Sequence, residues 1–256
     1  MSATEMQGTP PSREIDPELQ LVVPGKALNA GAGMTWIADG WGLFTRAPLM
    51  WIVSLILVLL VLGALSLTGI GAIIFQFLQP VIAGGFMVSC RALEKGGEFE
   101  LEHLMQGFSK RFMPLFIVGL IYTAGWLVLI LIFMALAGVA WMGFAMGGSE
   151  DAAAAALASG TTALMWGLVI LLFAVPLTAA YWFAPALVMM HDMKPIAAMK
   201  ASFFGCFRNV IPFLVYSLVM MVAAILAVLP FGLGMIVWIP VAIASTYVAY
   251  REIFTQ

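Results

Sequence analysis

The chain reads as an all-α integral membrane protein. Six transmembrane helices form three hairpins, each preceded by a cytoplasmic interfacial amphipathic helix. Three observations predict this. Hydrophobic residues make up 63% of the chain and charged residues 9%, whereas a soluble domain carries about 25% charge. Three hydrophobic blocks, Ala47 to Cys90, Phe112 to Met190 and Asn209 to Tyr250, contain no basic residue. All eleven Lys and Arg residues lie outside these blocks, and only Glu150 and Asp151 interrupt the middle one.

Each block is at least about twice the ~20 residues a helix needs to span a bilayer, so each should be a hairpin. Period-two alternation is absent, which argues against a β-barrel. Lipid-exposed backbone must satisfy its own hydrogen bonds, and helices do so.

Residues 1–22 read as a disordered cytoplasmic tail, and 23–256 as a single membrane domain. The tail is polar and lacks the apolar core of a signal peptide. The first span starts at Pro48, a residue suited to a helix start, and turns at Gly69-Ile70-Gly71. The second carries Gln79-Pro80 and ends near Leu93. The third starts near Pro114 and should leave the membrane near Trp141. Ser149, Glu150 and Asp151 carry an N-cap and dipole signal. They predict a short separate helix outside the membrane, closed by Gly160. The fourth span runs from about Thr161 to Met190, with kinks expected at Pro176 and Pro185. The fifth runs from Pro212 to about Leu229. The sixth follows the turn at Pro230, Gly232 and Gly234, and ends near Arg251.

An even number of spans puts both termini and all basic residues on one side. The positive-inside rule makes that side the cytoplasm. An amphipathic stretch precedes each hairpin there. Met34, Ile37, Trp41 and Phe44 form the first; Leu101, Leu104, Met105, Phe108 and Phe112 the second; Ile196, Met199, Phe203 and Phe207 the third. Such faces can lie in the bilayer interface. Each stretch closes with a basic residue and a proline: Arg46 with Pro48, Arg111 with Pro114, Arg208 with Pro212. The result is an internal repeat with units of about 26–95, 98–191 and 194–256. An echo supports it: Pro80-Val81, Val88 and Arg91 recur at the same spacing as Pro240-Val241, Val248 and Arg251.

This order of amphipathic helix, basic residue, proline and hairpin resembles an uncharacterised proteobacterial six-helix inner-membrane family. The run from Lys194-Pro195 to Ser202-Phe203 and the ending Tyr250-Arg251-Glu252-Ile253-Phe254 strengthen the likeness. The pattern is similar to YciC-like proteins and to the membrane domain of some glycerophosphodiester phosphodiesterases. It covers roughly Val22 to the end. The resemblance implies topology and an inner-membrane location. It supplies no catalytic residues.

The spans hold no Asp, Glu, Lys or Arg that would mark an ion path. His103 and His191 fall short of the three or four convergent ligands of a metal site. Neither H-E-x-x-H nor G-x-S-x-G occurs. The expectation is therefore no enzyme, no metal and no cofactor. With a net charge of −2, nucleic acid is a poor partner. The bilayer is the expected partner, with a membrane protein or a second copy as the protein class.

Arg46, Arg91, Arg111, Lys200, Arg208 and Arg251 are candidate interfacial anchors. The loop from Arg91 to Arg111 balances four basic with four acidic residues, so it is no polybasic lipid site. Gln76, Gln79 and Tyr181 are candidate polar groups of a cavity, although such residues more often bond across helix interfaces. The reading is a non-enzymatic inner-membrane protein acting through lipid or protein packing in the envelope. The alternative is a carrier or channel for a lipid or small apolar solute.

Overall fold

The computed structural model describes residues 20–147 and 152–256. Of the expected disordered tail over 1–22, residues 1–19 lie outside the described residues, as does the turn around Glu150, whereas Leu21 and Val22 are held against Thr255 and Phe254. Ten helices follow one another among these residues: α1 (Ala32–Arg46), α2 (Pro48–Ser66), α3 (Gly71–Glu94), α4 (Leu101–Lys110), α5 (Phe112–Gly147), α6 (Ala152–Trp182), α7 (Ala184–His191), α8 (Pro195–Arg208), α9 (Val210–Val228) and α10 (Met235–Phe254).

Five stretches of these residues are long and apolar enough to cross a membrane: Pro48–Ser66, Ile73–Glu94, Phe112–Ala135, Gly167–His191, which runs from α6 into α7, and Val210–Val228. The sequence predicts six. α10 falls short of that apolarity because its last turns carry Tyr247, Tyr250, Arg251 and Glu252. The separate helix closed by Gly160 does not exist. α6 runs unbroken from Ala152 through Gly160 to Trp182. A helical glycine costs only ~1 kcal/mol relative to alanine, and the alanines before it carry the helix through.

Of the two expected kinks, Pro176 lies inside an unbroken α6, whereas Pro185 sits beside a break at Phe183. Proline lacks an N–H and its ring clashes with the carbonyl four residues back. Around that break the Ser202 hydroxyl replaces a helical bond. Phe183 N–H donates to Ser202 Oγ at 2.9 Å, and Ser202 Oγ donates to the Ala179 carbonyl at 2.6 Å. The hydroxyl thus stands between the two groups that an intact helix would join directly.

The short helices pack in a cyclic order. α1 lies against α10, α4 against α3, and α8 against α6 and α7. α4 and α8 therefore each grip the last long helix before them, and α1 closes the order on α10. The sequence echo marks two of the receiving faces. A Cβ on Gly40 of α1 would stand 2.7 Å from the backbone nitrogen of Ser245, and one on Gly107 of α4 would strike the Val81 carbonyl. The backbones of each pair touch there, as small residues permit in membranes.

The faces turned inward match the periodicity only in part: Phe44, Leu104 and Met199 of the expected stretches are buried. In α1, Gly33, Trp36, Gly40 and Leu43 are buried while Met34 and Trp41 are exposed. In α4, Leu104 and Gly107 are buried and Met105 is exposed. In α8, Ala198, Ser202 and Gly205 are buried while Ile196 and Phe207 are exposed. Small residues make the closest approaches to protein, beside the buried Trp36, Leu43, Phe44, Leu104 and Met199, while other large apolar residues of the same helices face outward.

The largest fully buried side chains cluster where the basic residues are. Trp36, Trp51, Val81, Leu115, Phe183, Leu187, Tyr247, Tyr250 and Phe254 belong to this core. Trp51 stacks on Phe86 at 5.7 Å, and Phe183 meets Phe254 edge-on at 5.4 Å. Towards the opposite end the helices expose apolar residues, as at Leu59, Leu60, Leu131, Leu172 and Leu226.

Candidate functional site: the polar network at the basic helix ends

The segment before α1 closes on the end of α10 at this side. Val22 N–H donates to the Phe254 carbonyl and Lys26 N–H to the Ile253 carbonyl, each at 2.8 Å, and Leu21 pairs antiparallel with Thr255. Asn209, fully buried between α8 and α9, bonds three ways. Its Oδ1 accepts from Leu28 N–H at 2.8 Å, and its Nδ2 donates to the Lys26 and Gly205 carbonyls, also at 2.8 Å. A buried amide needs such partners, and these hold the entry of the chain onto its last unit.

Glu94, at the end of α3, is the hub. It forms an ion pair with Arg251 of α10 and accepts a 2.6 Å hydrogen bond from the Tyr247 hydroxyl. Beside it, the Tyr250 hydroxyl and His191 Nε2 share a 2.6 Å hydrogen bond. Trp36 Nε1 donates to Glu252 Oε2 at 2.5 Å, joining α1 to α10. The Glu94 carboxylate ties the ends of α3 and α10 together with charge-assisted bonds, which are about twice as strong as neutral ones, and the Tyr250–His191 bond adds the end of α7.

Among the predicted anchors, Arg46, Arg111, Arg208 and Arg251 meet the following partners within the protein. Arg46 donates to the Leu93 carbonyl at 2.7 Å, at the negative end of the α3 dipole. Arg111 pairs with Asp192, Arg208 donates to the Gly25 carbonyl at 3.1 Å, and Arg251 pairs with Glu94. Arg91 is half-buried on α3, one turn before Glu94, and Lys200 is exposed on α8. The predicted cavity groups divide. Gln76 and Gln79 line an open groove of about 500 Å³ with Tyr122, Thr123 and Trp126. Tyr181 reaches it only by stacking on Tyr122, with ring centres 4.2 Å apart.

His103 serves α4 as a cap. Its Nδ1 accepts from Glu100 N–H at 3.3 Å, while the Glu100 side chain accepts from the His103 backbone. His191 belongs to the network instead. Among the described residues, no three His, Cys, Asp or Glu side chains stand close enough to hold a metal. Cys206, on α8, is buried, and burial pushes its thiol up to about 12.

Sequence reasoning missed Trp36, Glu94, Tyr247, Tyr250 and Glu252. The echo that ends at Arg91 and Arg251 could have led to α3 and α10. It gave no sign that the acid beside one arginine meets the other.

No family model matches the chain, and no solved structure matches it. A Burkholderia thailandensis protein named "Probable inner membrane protein" is 30% identical over 245 residues, covering 89% of this chain and 90% of its own length. The extent of that match, with five membrane-length apolar helices, makes this chain a member of the same inner-membrane protein family.

Proposed function

We propose that the protein is a non-enzymatic, six-span element of the bacterial inner membrane that acts by packing, against lipid and against membrane-protein partners. The observation that carries this is the filled centre at the basic side. Val81, Leu187, Tyr247 and Tyr250 are each fully buried there, and the titratable groups around them are spent on one another. The short helices turn Met34, Trp41, Met105, Ile196 and Phe207 outward, as helices lying in a bilayer interface do.

α10 is the sixth span in this reading. Its twenty residues reach about 30 Å at 1.5 Å per residue. Its polar last turns are shielded by protein, and the Glu94–Arg251 pair sets its end beside the end of α3. All basic residues then share one face, which the positive-inside rule makes cytoplasmic. Both termini lie there. The same order of helices extends the proposal to YciC-like proteins.

The test is purification of the full chain in mild detergent with a search for stoichiometric protein partners. Co-purification at a fixed ratio agrees with the reading, and a clean monomer with measurable turnover ends it. The groove with Gln76 and Gln79 favours a second reading, a carrier for a lipid or small apolar solute. There Thr123 Oγ1 is buried without a hydrogen-bond partner. Flux or lipid scrambling in liposomes above the empty-vesicle level decides for it.

A further inference from the structure

A pocket of about 820 Å³ opens where α2 begins and α3 ends. Its polar lining comes from Arg46, Glu98 and Glu100, and its apolar lining includes Met50, Phe99 and Leu101. Pro48 opens one membrane stretch and Glu94 closes another, so this pocket sits at the depth where helices leave the hydrocarbon. Headgroups of lipids occupy that depth.

Resting on the packing reading above, we propose that this pocket holds the headgroup of a phospholipid bearing a primary ammonium, such as phosphatidylethanolamine. Arg46 binds the phosphate and Glu98 the ammonium. The guanidinium has five donors, and one bond goes to the Leu93 carbonyl. The rest of its planar fork suits a phosphate. Glu100 is occupied in capping α4, whereas Glu98 caps no helix and is exposed. A carboxylate accepts hydrogen bonds from a primary ammonium, which a quaternary one cannot donate. Met50, Phe99 and Leu101 then meet the glycerol and the first methylenes. A purely anionic lipid would gain Arg46 but face Glu98 as a like charge. Phosphatidylcholine would lose the hydrogen bonds of the ammonium.

Native mass spectrometry of the full chain in detergent, with dioleoyl phosphatidylethanolamine, phosphatidylcholine or phosphatidylglycerol added, tests this. The ethanolamine lipid should bind about tenfold more tightly than the choline lipid, the ratio that ~1.4 kcal/mol supplies. E98Q should bring the two lipids together, and R46Q should weaken both by about tenfold or more. Arg46 also caps α3, so E98Q is the variant that reads selectivity apart from folding. Equal binding of the two lipids by the unmodified protein overturns the proposal, as does unchanged selectivity in E98Q. Soluble phosphoethanolamine should bind far more weakly than the lipid, and binding as tight as that of the lipid overturns the proposal, because the glycerol and chains would then contribute nothing. The partner search reads the packing reading independently. Lipid selectivity lost with partners retained sinks only the pocket. Turnover or flux with selectivity retained sinks only the packing reading.

Discussion

At Phe183 the chain loses a helical hydrogen bond, and a serine from another unit restores it through its hydroxyl. Ser202 is fully buried, so its removal leaves the Phe183 N–H and the Ala179 carbonyl without that bridge. Unpaired buried groups cost about 1–3 kcal/mol each. Ser202→Ala should therefore lower the thermal midpoint in detergent, and Ser202→Thr should retain more of it than alanine does. Cys206 behaves differently. Its pKa is raised by burial, so below about pH 12 the thiol stays protonated in the folded protein. Thiolate is the reactive form. Maleimide at pH 8 should label Cys206 slowly until denaturant is added; rapid labelling of the native protein would show that the face is open.

At the scale of the element, the short helices carry two faces with different tasks. The inward one depends on backbone approach. Gly40→Ala and Gly107→Ala should each destabilise the protein by about 1–3 kcal/mol through overpacking. Gly42, in the same helix as Gly40, has nothing within 4 Å of an added Cβ, so Gly42→Ala should be neutral or stabilise by roughly 0.5–1 kcal/mol. Detergent melts of the three variants check the contrast, and equal losses at Gly40 and Gly42 would contradict the assigned face. The apolar membrane-length helices were legible because charge is excluded from them. The inward faces were legible only in part, because periodicity scores large apolar residues. Here Gly33, Gly40, Gly107 and Gly205 make the contacts, and Met34 and Trp41 point away. The continuation of α6 through Gly160 was hidden for a related reason. A local cap signal competes with helix propensity, and pattern alone does not say which prevails.

On the scale of the whole molecule, three units close into a ring, and closure brings residues far apart in sequence together. Glu94 meets Arg251 and Tyr247, and Trp36 meets Glu252. Of these residues only Arg251 was legible, from the one-sided charge. Glu94, Tyr247, Trp36 and Glu252 were not, because nothing local records a contact between α1 or α3 and α10. The ring also accounts for where the packed core lies. Gripping between units takes place at the basic end, while the opposite ends of the hairpins present apolar surface that a bilayer would cover.

Ring closure is read most directly by a cross-link between the two ends of the domain. Leu21 and Thr255 pair antiparallel, and paired strands hold Cα atoms about 4.5–5.5 Å apart, within the range a disulfide spans. The variant Leu21→Cys with Thr255→Cys, made after Cys90→Ala and Cys206→Ala, would be oxidised in inner-membrane vesicles and digested for mass spectrometry. The ring predicts a disulfide within one chain, formed in high yield. No disulfide, or one only between two chains, would contradict it.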